Sequence, residues 1–127
     1  MFGKIILWLS AIIFIVYGLA CLFSPELPAG YAGLGILTGD GYAEIGAMYG
    51  GLQTGFGIVC LIGAQRDNFR TPILLVVAIV IGSLALGRLY SMLNVTDAVG
   101  IYTQGALAFE SVTALLAFIA YRGSADK

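Results

Sequence analysis

The chain contains no histidine, and only 10% of its 127 residues are charged. Without histidine it lacks the commonest metal ligand and the commonest general base of proteins. Soluble domains have about 25% charged residues, so this low charge argues against a soluble domain. The sequence also shows neither a basic patch nor a glycine-rich phosphate loop. We therefore expect no metal, no cofactor and no nucleic-acid partner.

Cysteine is scarce as well, with two residues in the chain, Cys21 and Cys60. The helices predicted below place them near opposite faces of the membrane, which is too far apart for a disulfide bond. We therefore interpret both as buried structural thiols, with a redox role as the alternative.

Apolar residues are abundant: 60% of the chain is hydrophobic, and the mean hydropathy is +0.99. A run of about 20 apolar residues is long enough to span a bilayer core. Four such runs fill the chain, at residues 5–23, 42–64, 72–93 and 101–121. They predict an all-α fold, an integral membrane four-helix antiparallel bundle that forms a single domain over residues 1–127.

Outside these runs, the basic residues lie on one side of the predicted membrane: Lys4, Arg66, Arg70, Arg122 and Lys127. The other two loops contain acidic residues but no lysine or arginine. Because basic loops tend to stay in the cytoplasm, we expect both termini there and an external loop at residues 24–41. This pattern predicts a multi-pass membrane protein with a fixed orientation.

The first run also has features of a signal peptide. Lys4 precedes it, and Leu19-Ala20-Cys21 weakly resembles a lipoprotein cleavage site. Gly18, however, stands where such a site usually has a larger aliphatic residue. We therefore expect the run to be retained as a transmembrane helix.

The external loop begins with Ser24-Pro25-Glu26, which is typical of a helix start. The triplet supplies a capping hydroxyl, a proline at the first helical position and an acid in the first turn. We expect Pro28 and Gly30 to end that helix early. The loop is thus predicted to form a short interfacial helix or a re-entrant flap over the bundle, with Asp40 capping the second span.

Three ionisable side chains fall inside the predicted spans: Glu44, Arg88 and Glu110. At a rise of 1.5 Å per residue, all three lie in the outer half of the bilayer at overlapping depths. Charges in hydrocarbon are costly and usually face the bundle interior with a partner. Because one guanidinium can bond two carboxylates, we predict a cluster with Arg88 at its centre. Its surplus negative charge predicts a protonated glutamate, or a cation or donor ligand nearby.

Three further polar side chains belong to this predicted site. Tyr49 lies in the same half of the bilayer, Ser91 is one turn from Arg88, and Gln53 lies nearly opposite Glu44 around a continuous α-helix. Two interpretations stay open. The residues either hold helices together, at about 0.6 and up to roughly 2 kcal/mol per polar contact, or line a pocket for a small ligand or lipid headgroup.

Small residues recur every four positions on the second and third spans. They are Gly46 with Gly50, Gly51 with Gly55, and Ser83 with Gly87 and Ser91. Such small-xxx-small patterns let transmembrane helices approach closely, so we predict that these residues form helix-packing surfaces. They exceed what one small bundle needs, and an outward-facing stripe is therefore available to a partner helix.

Several of these residues also form a pattern that resembles a known family. The pattern comprises Ala43-Glu44, then Met48-Tyr49-Gly50-Gly51-Leu52-Gln53-x-Gly55, then Leu86-Gly87-Arg88-Leu89 and a glutamate in the last span. It is similar to the small bacterial four-helix membrane proteins grouped as domain of unknown function 4345. The resemblance supports the four-helix architecture and singles out Glu44, Tyr49, Gln53, Arg88 and Glu110, but it implies no reaction.

The sequence favours an accessory or structural subunit of a larger bacterial inner-membrane complex, or a homo-oligomer, in contact with membrane lipid. It offers no nucleophile beside a base and almost no soluble mass, so an enzymatic role is disfavoured but left open. The alternative is a binding protein or small enzyme for an apolar ligand (quinone, isoprenoid or lipid) at the outer polar pocket. A channel or transporter is disfavoured, because the inner half of the predicted bundle lacks polar residues.

Overall fold

The computed structural model describes residues 1–125, so Lys127, one of the residues used to predict orientation, lies outside the described part. The helices are α1 (Phe2–Phe23), α2 (Glu26–Ala32), α3 (Gly39–Ile45), α4 (Leu52–Gln65), α5 (Asp67–Asn94) and α6 (Ile101–Ala125), and a π-helical segment (Gly46–Gly51) joins α3 to α4. No strand occurs in this part of the chain. The predicted all-α fold is therefore confirmed.

Four helices are long and apolar enough to cross a membrane: Phe2–Phe23, Gly39–Gln65, Asp67–Asn94 and Ile101–Ser124. Large apolar side chains remain exposed along all four. A soluble monomer rarely exposes so much apolar surface, whereas lipid is a favourable solvent for it. The fold therefore fits a multi-pass membrane protein.

The chain divides into two compact units. The first unit is Trp8–Leu61, which contains most of α1, the loop that follows it and most of the second span. The second unit combines Met1–Leu7 with the chain from Ile62 onward, and so contains α5 and α6. Each unit has its own close helix packing.

In the first unit, α1 packs directly on the backbone of the second span. A Cβ atom placed on Gly50 would lie 2.6 Å from Cα of Leu22, and one placed on Gly57 would lie 2.8 Å from the backbone nitrogen of Ile15. A Cβ on Gly18 would also lie 2.5 Å from a backbone nitrogen of the second span. The contact on α1 moves back from Leu22 to Ile15 while the contact on the second span moves forward from Gly50 to Gly57. The two helices are therefore antiparallel. Their glycines let the backbones touch.

In the second unit, α5 and α6 form the main packed pair. A Cβ on Gly82 of α5 would lie 3.6 Å from Cβ of Ala114 on α6, which is ordinary contact. The start of α1 joins this unit, because a Cβ on Gly3 would lie 2.7 Å from Cδ1 of Leu74 and 3.6 Å from Cβ of Ala120. The first turn of α1 therefore meets α5 and α6 at one end of the unit.

The loop after α1 contains the short helix that the sequence predicts, but its ends differ from the prediction. Pro28 and Gly30 do not end α2, which continues to Ala32. Proline is tolerated there because the first helical turn has no internal acceptor for its N–H groups. Gly33 caps the end of the helix, and its backbone is left-handed with a φ of 69°. That conformation favours glycine, which carries no Cβ.

The helix caps also differ from the prediction. Asp40 does not cap the second span, because Thr38 is the cap and its hydroxyl oxygen accepts a hydrogen bond of 3.1 Å from Gly41 N–H. The Ser24 hydroxyl does not cap α2 either, since it donates to the Glu26 carboxylate at 3.5 Å. Both differences shift a cap by one or two residues, which local sequence patterns rarely resolve.

We expect Gly33→Ala to loosen the end of α2, because a Cβ in a left-handed conformation costs about 1–2 kcal/mol. The readout is hydrogen exchange of Leu34 N–H, which donates to the Ala29 carbonyl oxygen at 2.8 Å. Gly30→Ala is the matched control: it lies within α2 with open space around it, so protection should hold or increase. Equal exchange in both variants would contradict the prediction.

Candidate functional site at a buried arginine–glutamate pair

Arg88 on α5 and Glu110 on α6 form a two-pronged ion pair within the second unit. Arg88 Nε donates to Glu110 Oε2 at 2.9 Å, and Arg88 Nη2 donates to Glu110 Oε1 at 2.6 Å. This side-on arrangement uses both carboxylate oxygens, which is the strongest geometry for an arginine–carboxylate contact. The two charges cancel within the pair.

Burial differs between the two partners. Glu110 is 5% exposed, whereas the Arg88 side chain is 25% exposed. Arg88 lies about two turns before the end of α5, and Glu110 lies near the middle of α6. Both helices are long and apolar, so neither charge is stable there alone. On α6, the next two turns of the Glu110 face carry the small residues Ala114 and Ala117, and Ala117 is fully buried. Small side chains on this face allow α5 to come close enough for the ion pair.

Glu44 belongs to α3 in the first unit, and it is exposed. Tyr49 and Gln53 belong to the same unit and are half-buried. Ser91 lies on α5 one turn beyond Arg88 and is exposed. The structure thus brings Arg88 and Glu110 together, and the predicted three-member cluster with Glu44 stays a prediction.

The π-helical segment is a feature that the sequence analysis missed. It covers Gly46–Gly51, and Leu52 N–H donates five residues back to the Ala47 carbonyl oxygen. A π turn holds about one residue more than an α turn, so side chains beyond it are rotated by roughly 100°. Gln53 is therefore not opposite Glu44, as a continuous α-helix would place it. The three glycines of the segment were the available signal, since they weaken regular α-helix.

The predicted helix-packing residues fall into two groups. Gly46 and Gly50 are buried, and both face α1 or the residues that follow it: Gly50 lies against Leu22, and a Cβ on Gly46 would lie 3.7 Å from Pro25. The others are exposed: Gly51, Gly55, Ser83 and Gly87. A Cβ on any of the three exposed glycines would meet nothing within 4 Å. The first group packs the first unit together, whereas the glycines of the second group have no close packing contact within the described chain.

Sequence reasoning also missed several glycines that pack closely. They are Gly3, Gly18, Gly57 and Gly63. Gly57 continues the face of Gly46 and Gly50, so spacing pointed toward it. The other three have no partner at four-residue spacing, and only the tertiary structure identifies them.

The described residues offer no metal site: within residues 1–125, no three side chains of histidine, cysteine, aspartate or glutamate are placed to hold an ion. The pair itself offers a guanidinium that is hydrogen-bonded to a carboxylate. Such a pair can fix the register of two helices or recognise a polar group that enters beside Arg88.

Comparison with known proteins identifies a family for this chain. The family model described as Domain of unknown function (DUF4345) matches residues 2–121 of this chain. No curated protein and no solved structure matches this chain. The match covers all four long apolar helices up to Tyr121, including Arg88 and Glu110. The chain therefore belongs to the DUF4345 family.

Proposed function

We propose that this protein is an accessory subunit that packs against other transmembrane helices in a larger assembly of a bacterial inner membrane. In this proposal its four long helices form an antiparallel bundle with both termini in the cytoplasm. The one-sided distribution of basic residues supports that orientation. The helices would present glycine and serine stripes to a partner, which is a further membrane protein or another copy of the chain.

The unused glycines are the observation that carries the proposal. Gly51 and Gly55 form a small-xxx-small pair with open space over both, and Gly87 continues a similar row of exposed residues between Ser83 and Ser91. Lipid tails do not require small residues on a helix, whereas a second helix needs them for close approach. Gly50, next to Gly51, already shows what such a residue does when a helix lies on it.

We expect the double variant Gly51→Leu, Gly55→Leu to fold but to lose its partner. Its new side chains enter open space, so the fold should hold, while a docked helix would be pushed away. The measurement is native mass spectrometry after gentle extraction from the native membrane. The unmodified protein should appear with additional mass, and the double variant should appear alone at about its chain mass of 13.3 kDa.

Gly105→Leu is the matched control, because Gly105 is also an exposed helical glycine with nothing near its Cβ position. It has no small residue four positions away, so the assembly should survive this change. Additional mass in multiples of 13.3 kDa would identify a homo-oligomer, and any other protein-sized mass would identify a different membrane protein as the partner. An unmodified protein that is released alone would contradict the proposal.

A second candidate function is binding of an apolar ligand such as a quinone, an isoprenoid or a lipid. One observation favours it: the Arg88 side chain is a quarter exposed while it holds the buried Glu110, so part of this side chain is reachable from outside the helix pair. An ionisable pair inside a membrane often marks a functional position. The Arg88 and Glu110 variants described in the Discussion distinguish this function from a purely structural role.

A further inference from the structure

We infer that an anionic phospholipid headgroup binds at one end of the second unit, where Lys4, Arg66 and Arg122 lie. We call these three residues the basic end. The inference goes beyond the accessory role, because it names a lipid partner and uses none of the glycine stripes. It shares only the membrane location with that proposal.

The helix packing brings the basic end together. Gly3 lies against Leu74 of α5 and Ala120 of α6, as described above. Lys4 is the next residue after Gly3, and Arg122 follows Ala120 by two residues. At a rise of 1.5 Å per residue, both cations lie within about one turn of this three-helix contact.

The turn between α4 and α5 reaches the same end. A Cβ on Gly63 would lie 3.0 Å from Cβ of Ile73 and 3.0 Å from Cδ1 of Leu7. Both neighbours belong to the second unit, so the end of α4 packs on the first turns of α1 and α5. Arg66 follows Gly63 by three residues, which is about one helical turn. It therefore lies at the same end as Lys4 and Arg122.

The three cations of the basic end carry unbalanced charge. All three are exposed, and none has an ion pair or a side-chain hydrogen bond with another residue in the range 1–125. Nearby Arg70 is different: it pairs with Asp67 and donates to the Ala64 carbonyl oxygen at 3.5 Å. Four basic side chains and one carboxylate leave three positive side-chain charges at this end of the described chain.

Exposed aromatic residues lie beside these cations. Phe2 is 49% exposed and precedes Lys4 by two residues, and Phe69 is 44% exposed and follows Arg66 by three. A phospholipid matches this combination, because its phosphate suits the guanidinium groups and its acyl chains suit the aromatic surface. A free phosphate ion would use only the charged part. We therefore assign the site to a lipid phosphate.

The test uses the full-length protein in nanodiscs of phosphatidylcholine with increasing fractions of phosphatidylglycerol. Native mass spectrometry after detergent release measures how much of each lipid stays bound. We expect phosphatidylglycerol to be retained in preference to phosphatidylcholine. In nanodiscs both membrane faces are open to solution, so an inverted orientation would not mimic a loss of binding.

The variant Lys4→Gln, Arg66→Gln, Arg122→Gln should weaken phosphatidylglycerol retention by on the order of 100-fold, because each cation near an anionic surface contributes about fivefold. The matched control is Asp67→Asn, Arg70→Gln, which removes a charge pair at the same end and leaves the net charge unchanged. Its retention should stay within about twofold of the original. Circular dichroism checks that both variants are folded.

Three outcomes would overturn the inference. The first is equal retention of both lipids by the unmodified protein, and the second is unchanged retention by the triple variant. The third is displacement of phosphatidylglycerol by inorganic phosphate in solution, which would mean that the acyl chains contribute nothing. An unmodified protein that retains phosphatidylglycerol but carries no additional protein mass would count against the accessory role alone, so the two proposals fail separately.

Discussion

Replacing Gly50 by alanine is expected to disrupt the first unit, although the change adds a single methyl group. That methyl carbon would lie 2.6 Å from Cα, 2.7 Å from Cβ and 2.8 Å from the backbone nitrogen of Leu22. Backbone atoms cannot rotate out of the way, so α1 and the second span must separate. We expect the free energy of unfolding to fall by about 2–3 kcal/mol, the upper range for overpacking.

The neighbouring residue provides the control. Gly51→Ala adds the same methyl group one position along the chain, where nothing lies within 4 Å. Alanine favours helix over glycine by up to about 1 kcal/mol, so this variant should be as stable as the original or more stable. Unfolding in mixed detergent micelles, followed by circular dichroism, measures both. A similar loss in both variants would mean that glycine matters here through backbone flexibility rather than through contact with α1.

The second large effect is expected at the Arg88–Glu110 pair. Arg88→Met or Glu110→Leu alone should each lower the free energy of unfolding by about 3 kcal/mol, because one charged group then stays inside apolar helices without its partner. The double variant should be more stable than either single variant, since it removes both charges and keeps side chains of similar size. The same micelle unfolding assay gives all three values.

The double variant also separates the two candidate functions. Losses that simply add up would show that the two side chains do not stabilise each other. If the double variant folds and keeps its partner, the pair acts as a structural link between α5 and α6. If it folds but loses a reproducible bound small-molecule mass that the unmodified protein carries, the pair recognises a ligand.

The positions of the long helices could be predicted from the sequence. Each of the four apolar runs became a helix, and each helix extends to or beyond the predicted span ends. The extension of α5 back to Asp67 adds polar residues that the apolar run excluded. Hydropathy works here for a physical reason: a backbone that enters lipid must satisfy its own hydrogen bonds, and a helix does so with local contacts alone.

The candidate site could be predicted in part. The rise per residue and the predicted helix ends are enough to place Arg88 and Glu110 at overlapping depths in the bilayer. The predicted depth of Glu44 overlaps with that of Arg88 as well. The sequence therefore did not show which of the two carboxylates bonds Arg88. The close approach of α5 and α6 shows that Glu110 is one partner of Arg88, through two hydrogen bonds.

The glycines show the same limit. Their spacing marked Gly50 and Gly51 equally as packing residues, yet Gly50 lies against Leu22 and Gly51 faces open space. Adjacent residues on a helix point about 100° apart, so the direction from which α1 arrives decides between them. The π-helical segment then rotates all later side chains by a further step.

The amino-acid sequence by itself therefore determined where the chain is helical, which side chains are costly in an apolar solvent and which end carries the positive charge. These properties depend on composition and on distance along one helix. The tertiary structure alone showed that Arg88 bonds Glu110 through both carboxylate oxygens, and showed which glycines touch another backbone and which stay uncovered. Those properties depend on how two helices meet, and contacts between residues far apart in sequence determine that geometry.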